Sequence, residues 1–241
     1  MTVPDIALPP GDHRVPDYRT DWSIAAHRLT IPARPVESRF EAMSGPTLLP
    51  MVGRERELAL LLERWRQASA GEGQVVLLSG EAGIGKSRIT WALIDAVPAV
   101  AHIRINYQCS PHHIDSALWP VIQQLNHAAG LGAEDPLEIR LDKLEALLER
   151  ADGDVSGAAP LIADLIGLDG AARYGKLDLT PQAPQARTLD VLVQQLLGLP
   201  AQQPVLVVLE DAHWIDPTTL ELIEQCLDRT AAARVLVLLT T

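Results

Sequence analysis

The stretch that most restricts how this chain can fold is Gly80-Glu81-Ala82-Gly83-Ile84-Gly85-Lys86-Ser87. It follows an apolar run over residues 75–79, read as a strand, and opens a segment of helical character over residues 86–97. Strand, glycine-rich turn and helix in this order do more than reverse the chain. Glycines let the backbone close around an anion where a Cβ would collide. Successive N–H groups then point inward as a nest, and the positive end of the new helix faces the same point. Lys86 stands where its ammonium reaches β- and γ-phosphates, and Ser87 where its hydroxyl ligates magnesium. The eight residues fit GxxxxGK[ST] in full, in the context that the chemistry requires.

A second feature belongs with the first. Residues 204–210 contain Val205-Leu206-Val207-Val208-Leu209, apolar on both alternating faces, as in a buried parallel strand. The run ends in Glu210-Asp211, and open α/β sheets bind ligands at the carboxyl ends of their strands. One carboxylate of such a pair holds magnesium, and the other orients or deprotonates the attacking water. By order, Glu210 takes the metal side with Ser87, and Asp211 is the base. Asp is the more usual magnesium ligand, which leaves that order open. Lys86, Glu210 and Asp211 form the expected catalytic set, with ATP and Mg2+ as the ligands.

Around these motifs the chain alternates strands and helices, which points to an α/β fold, a parallel sheet with helices on both faces. Leu58, Leu61, Leu62 and Trp65 form a helical stripe over residues 55–68. A second strand is expected over residues 101–108. Helices are expected over 117–129, 136–151, 161–168 and 185–199, and a last strand over 234–241. Asp216 reads as an N-cap with Pro217 as the first helical residue. Residues 1–50 differ: they hold eight of the eighteen prolines and are read as a mostly irregular leader or linker. Residues 51–241 are the expected ATP-binding domain, ending after the sensor strand without a lid.

Composition narrows the class further. With 47% hydrophobic residues but only 4% aromatics, the core is to be built from Leu, Val, Ile and Ala. The formal charge of −11 opposes nucleic-acid phosphate and anionic lipid, so neither is an expected partner. Cys109 and Cys226 are read as buried reduced thiols, and Cys109 is given little weight as a nucleophile for want of a base. His112 and His113 lack partner ligands at metal-binding spacing. His213 is expected to pack. Residues 154–157 read DxxG and 175–178 nearly read NKxD, but both fall in the helical region, which argues against a GTPase. No secretory signal and no long apolar run is evident, so a cytoplasmic protein is expected.

Three stretches together resemble a known family: Met51-Val52-Gly53-Arg54-Glu55-Arg56-Glu57-Leu58, the glycine-rich loop, and Leu209-Glu210-Asp211-Ala212-His213-Trp214-Ile215-Asp216. The chain is similar to the AAA-type P-loop NTPase (ATPase) domain of bacterial STAND signalling proteins, often joined to adenylate/guanylate cyclase or LuxR-type regulators. Tyr107-Gln108-Cys109-Ser110-Pro111-His112-His113, Ala117-Leu118-Trp119-Pro120 and Glu37-Ser38-Arg39-Phe40-Glu41-Ala42 resemble the cyclase-linked branch. The resemblance implies that Val52, Gly53 and Arg54 lie near the adenine and that Leu239-Thr240-Thr241 is the sensor strand. The nucleotide-binding set is then Val52, Gly53, Arg54, Gly80, Glu81, Ala82, Gly83, Ile84, Gly85, Lys86, Ser87 and Ile89.

The family's arginine after the sensor strand, its further edge strand, arginine finger and helical lid are not in this sequence. A fragment of a larger protein with impaired turnover is therefore expected, with the strand of residues 75–79 left as a sheet edge. Three functions compete. The leading one is a nucleotide-dependent signalling switch that binds ATP or ADP and works through protein partners or self-association. The others are a DNA-associated AAA ATPase of replication-initiator type and a non-hydrolysing interaction remnant.

Overall fold

The structure is a computed structural model that describes residues 26–30, 53–98, 101–151, 154–175 and 183–241. In chain order the elements are β1 (Ala26–Thr30), α1 (Glu55–Ser69), β2 (Gln74–Ser79), α2 (Lys86–Ala96), β3 (Ile103–Gln108) and α3 (Trp119–Ala128). Then come α4 (Leu137–Leu148), α5 (Val155–Leu165), α6 (Ala171–Tyr174), α7 (Ala183–Gln202), β4 (Val205–Glu210), α8 (Pro217–Leu227) and β5 (Val235–Thr240). Short 3-10 turns lie at Glu149–Ala151 and Ala212–Trp214.

The five strands form one sheet in the order β1-β2-β5-β4-β3, and every pairing is parallel. Strand alternation divides the core in two. Val76, Leu78, Leu206, Val208, Leu236 and Leu238 meet Leu61 and Ala68 of α1 and Ile89 and Leu93 of α2 on one face. Val75, Val205, Val207, Leu209, Val235 and Val237 meet residues of α3, α4, α5, α7 and α8 on the other. Because β4 and β5 bury both faces, they are nearly continuous Val and Leu. The expected α/β architecture, a parallel sheet covered on both sides, is the one observed.

Within residues 1–50, expected to be a mostly irregular leader, the described residues form a strand. Ala26–Thr30 is a strand that pairs with β2 from Ala26↔Val75 to Thr30↔Ser79. Consequently β2 is flanked by β1 and β5 rather than left as an edge, and its N–H and C=O groups are paired on both sides. The five residues, Ala-His-Arg-Leu-Thr, carry neither an apolar run nor alternation strong enough to announce a strand. Backbone pairing to a strong neighbour overrides that weak pattern.

Helix boundaries shift for physical reasons. The helix expected over 161–168 is α5, which begins at Val155 and runs through Pro160. Pro160 removes one backbone donor, and burial of Ala158, Ala159, Leu161, Ile162 and Ala163 offsets that loss. Short α6 is tied to α4 through Arg173, which contacts Glu138 at 2.6 Å, Asp142 at 2.7 Å and Glu145 at 3.4 Å.

Gly198 marks the closest approach between layers. A Cβ built there would lie 2.0 Å from the Ala151 carbonyl oxygen. Gly198→Ala improves intrinsic helix propensity by about 1 kcal/mol, yet it is expected to destabilise the protein. Forcing α7 off the 3-10 turn costs about 1–3 kcal/mol, read as a lower urea midpoint.

Candidate nucleotide-binding site

The glycine-rich loop joins β2 to α2, as the sequence predicts. Gly83 has φ 79° and Gly85 has φ 101°, left-handed conformations that side chains other than glycine adopt at a cost. The Lys86 ammonium folds back across the loop and donates to the carbonyl oxygens of Gly80 at 2.8 Å and Glu81 at 3.0 Å. Glu81, Ala82, Gly83, Gly85 and Ser87 are exposed, while Ile84 packs at the margin of the core beneath α1 and α2. These residues fit a polyphosphate: the glycines supply a left-handed turn that a side chain would strain, and among the described residues the lysine ammonium bonds to loop carbonyls. Ile89, expected to touch the nucleotide, is fully buried between α2 and the sheet. It anchors the helix rather than lining the loop's open side.

The acidic pair sits two strands away. Its register is Leu78↔Thr240 across β2 and β5 and Leu209↔Leu239 across β5 and β4. With strands about 4.8 Å apart, the ends of β2 and β4 stand roughly 10 Å from one another. Polar bonds tie these ends together. The Asp211 N–H donates to Thr240 Oγ1 at 3.1 Å, and the Thr241 N–H donates to the Leu78 carbonyl at 3.2 Å. Asp211 itself is left-handed, with φ 53° and ψ 44°, an uncommon conformation for a non-glycine residue and one found at functional turns.

The two carboxylates differ in environment. Burial, and secondarily the Asp211 charge, pushes the Glu210 carboxyl above the usual carboxylate range. Glu210 lines a groove of about 590 Å3, together with Trp91 of α2 and Asn106 and Gln108 of β3. The folded pKa lies above the unfolded one, so ionisation of Glu210 takes stability away as pH rises through the folded pKa. Glu210→Gln is therefore expected to raise the Tm at neutral pH. The gain vanishes at acid pH, where the wild-type carboxyl is protonated in both folded and unfolded chains. Thermal melts across pH check it.

The loop after β3 is held to the same end of the sheet. Cys109 N–H donates to the Glu210 carbonyl at 3.0 Å. Asp216 is 1% exposed. Its Oδ1 accepts the Leu118 N–H at 3.1 Å and the Thr219 N–H at 2.9 Å, and its Oδ2 accepts the Thr219 hydroxyl at 2.5 Å. The predicted N-cap is thus also a clasp between two loops. His113 stacks on Trp119 with centroids 4.0 Å apart. The Cys109 thiol is pushed up to about 12 by burial and then by nearby Asp216 and Asp211, so it is no thiolate nucleophile at neutral pH.

Other expectations are met differently. His213 does not pack into the core; it is exposed beside Trp214, with ring centroids 5.0 Å apart. Val52 lies outside the described residues. Gly53 and Arg54 lead into α1, where the Gly53 N–H donates to Glu55 Oε1 at 2.9 Å and the Arg54 guanidinium contacts Glu57 at 2.9 Å. Among the described residues, no group of three or more His, Cys, Asp or Glu side chains could hold a metal ion, and no helix is long and apolar enough to cross a membrane.

Fold and loop together define an α/β protein with a glycine-rich strand-to-helix turn at the C-terminal edge of a parallel sheet. The AAA ATPase domain family matches residues 50–238, and the chain belongs to that family. It is also 30% identical over 220 residues to an uncharacterized protein of Rhizobium meliloti (strain 1021). That match covers 91% of this chain and 20% of the relative, so the chain spans about a fifth of the relative's length. No solved structure matches.

Proposed function

We propose that this chain binds Mg-ATP at Gly80–Ser87 and uses the nucleotide state as a signalling switch within a larger cyclase- or transcription-regulator-type protein. The observation that carries the reading is the Lys86 ammonium resting on the Gly80 and Glu81 carbonyls, bonds that it can exchange for phosphate oxygens. Backbone N–H groups of the loop orient the phosphates, and Lys86 offsets their charge. Ser87 and Glu210 would hold a magnesium ion, which would supply neutralisation of the phosphate charge. Asp211 accepts the proton of the attacking water. Gly53 and Arg54, at the entry to α1, and Val52 before them serve the adenine side.

Nucleotide state is transmitted through the bonds that join the strand ends. Thr240 links the sensor strand to Asp211, and Asp216 links α8 to the loop after β3. Protein partners or self-association read out the result, with neither nucleic acid nor membrane required at −11 net charge. Hydrogen exchange compared between the ADP-bound and the ATP-analogue-bound chain tests the switch. Altered protection at residues 109–118, 211–216 and 239–241 is expected. A difference confined to residues 80–87 would contradict it.

A further inference from the structure

On the α2 face of the sheet the helical cover stops at β4. Arg104, Asn106 and Gln108 of β3 pair in register with Leu206, Val208 and Glu210 of β4 and share that face. Leu206 and Val208 are buried against α1 and α2, whereas the three β3 side chains are exposed. They floor the groove of about 590 Å3, with Trp91 of α2 and Trp119, Gln123 and His127 of α3 as walls. From Arg104 to Gln108 the floor runs ~13 Å along the strand, and Glu210 stands at its C-terminal end. The volume falls within the roughly 300–1,000 Å3 of small-molecule sites.

The lining selects the kind of guest. Trp91 is 49% exposed, the most exposed of the large hydrophobic side chains among the described residues, so an indole surface is open to an apolar face. Trp119 is held in place by its stack with His113. The carboxamides of Asn106, Gln108 and Gln123 have no hydrogen-bond partner among the described residues, and each offers both donors and an acceptor. Arg104 and Glu210 bring opposite formal charges, so neither an anion nor a cation is favoured over an uncharged guest. An added peptide strand is opposed as well. The Asn106 N–H, at the centre of the free edge of β3, already donates to Gln124 Oε1 at 3.2 Å.

We infer that this groove binds a neutral sugar of one or two rings, the C–H face of a ring lying on Trp91 and its hydroxyls meeting the amides of Asn106, Gln108 and Gln123. Hydroxyls donate and accept at once, as carboxamides do, and a ring's C–H face is the apolar surface that an exposed indole covers. An apolar guest would leave the amides unpaired, and a charged one would meet either Arg104 or Glu210 as a like charge. The groove shares Glu210 with the proposed Mg-ATP site but takes its ligand without nucleotide, so the two stand or fall separately.

The test titrates the intact, nucleotide-free chain with glucose, galactose, maltose and cellobiose, followed by amide NMR. Saturable shifts are expected with at least one sugar, at residues 104–108 and at the side-chain signals of Trp91, Asn106, Gln108 and Gln123. Trp91→Ala changes one exposed side chain and is expected to weaken that sugar about tenfold, with the Tm within about 2 °C of wild type. Gln123→Ala, at an exposed helical position that alanine suits, is expected to weaken it about threefold. Glucuronate and the blocked peptide acetyl-trialanine amide are expected to bind more weakly than the neutral sugar. The proposal is overturned if none of the four sugars shifts these signals at tens of millimolar, or if the shifts fall elsewhere. Full sugar affinity in both folded variants, or equal binding of glucuronate or the peptide, overturns it too.

Discussion

Lys86→Ala is expected to remove at least ~100-fold of ATP turnover and about 100-fold of nucleotide affinity, while the Tm stays within about 2 °C of wild type. The ammonium makes two bonds, both to loop carbonyls on its own turn, so the fold loses little when it goes. On the proposed function, those bonds are exchanged for charge-assisted contacts to phosphate oxygens when nucleotide binds. Each contributes roughly 1.5–3 kcal/mol, and two at the lower end amount to about 3 kcal/mol, or a factor of roughly 100. Phosphate release and the nucleotide-induced rise in Tm read the two losses separately. Turnover that survives the substitution would show that hydrolysis does not pass through this loop.

Asp216→Ala carries the largest expected effect on stability, about 2–4 kcal/mol. Asp216 accepts from two backbone N–H groups and one hydroxyl, and all three donors are buried. Removing the carboxylate uncaps α8 and strands the Leu118 N–H and both Thr219 donors without water. Leu118 is also left-handed, with φ 59°, and the bond to Asp216 helps to hold that conformation. For a domain of this size the loss corresponds to roughly 5–15 °C in Tm. Asp216→Asn keeps one acceptor oxygen and is expected to fall between the two. A Tm change below about 2 °C for Asp216→Ala would mean that the clasp is not a stabilising feature.

Much of this architecture is legible in the residues. The loop at Gly80–Ser87 announces itself because anion binding demands glycines, a lysine and a hydroxyl at fixed spacing, and local strand and helix signals surround it. β4 and β5 are legible because central parallel strands bury both faces and become continuous Val and Leu. β1 is not legible, because what places it is backbone pairing with β2, which leaves little trace in a five-residue side-chain pattern. Asp216 could be read as a cap from its neighbour Pro217, but its bond to Leu118 spans 98 positions and has no local signature. Ile89 shows the opposite error. It lies one turn into α2 from the loop, yet the 3.6-residue period turns it toward the core. His213 lies exposed in a short 3-10 turn after β4, and nothing in the neighbouring residues signals that exposure.

Calorimetric titration of the intact chain with ATP in the presence of magnesium decides whether the chain is a competent Mg-ATP site. Saturable binding at one site per chain is expected, weakened about 100-fold in Lys86→Ala. A folded wild-type chain that takes up no ATP at millimolar concentration would contradict it.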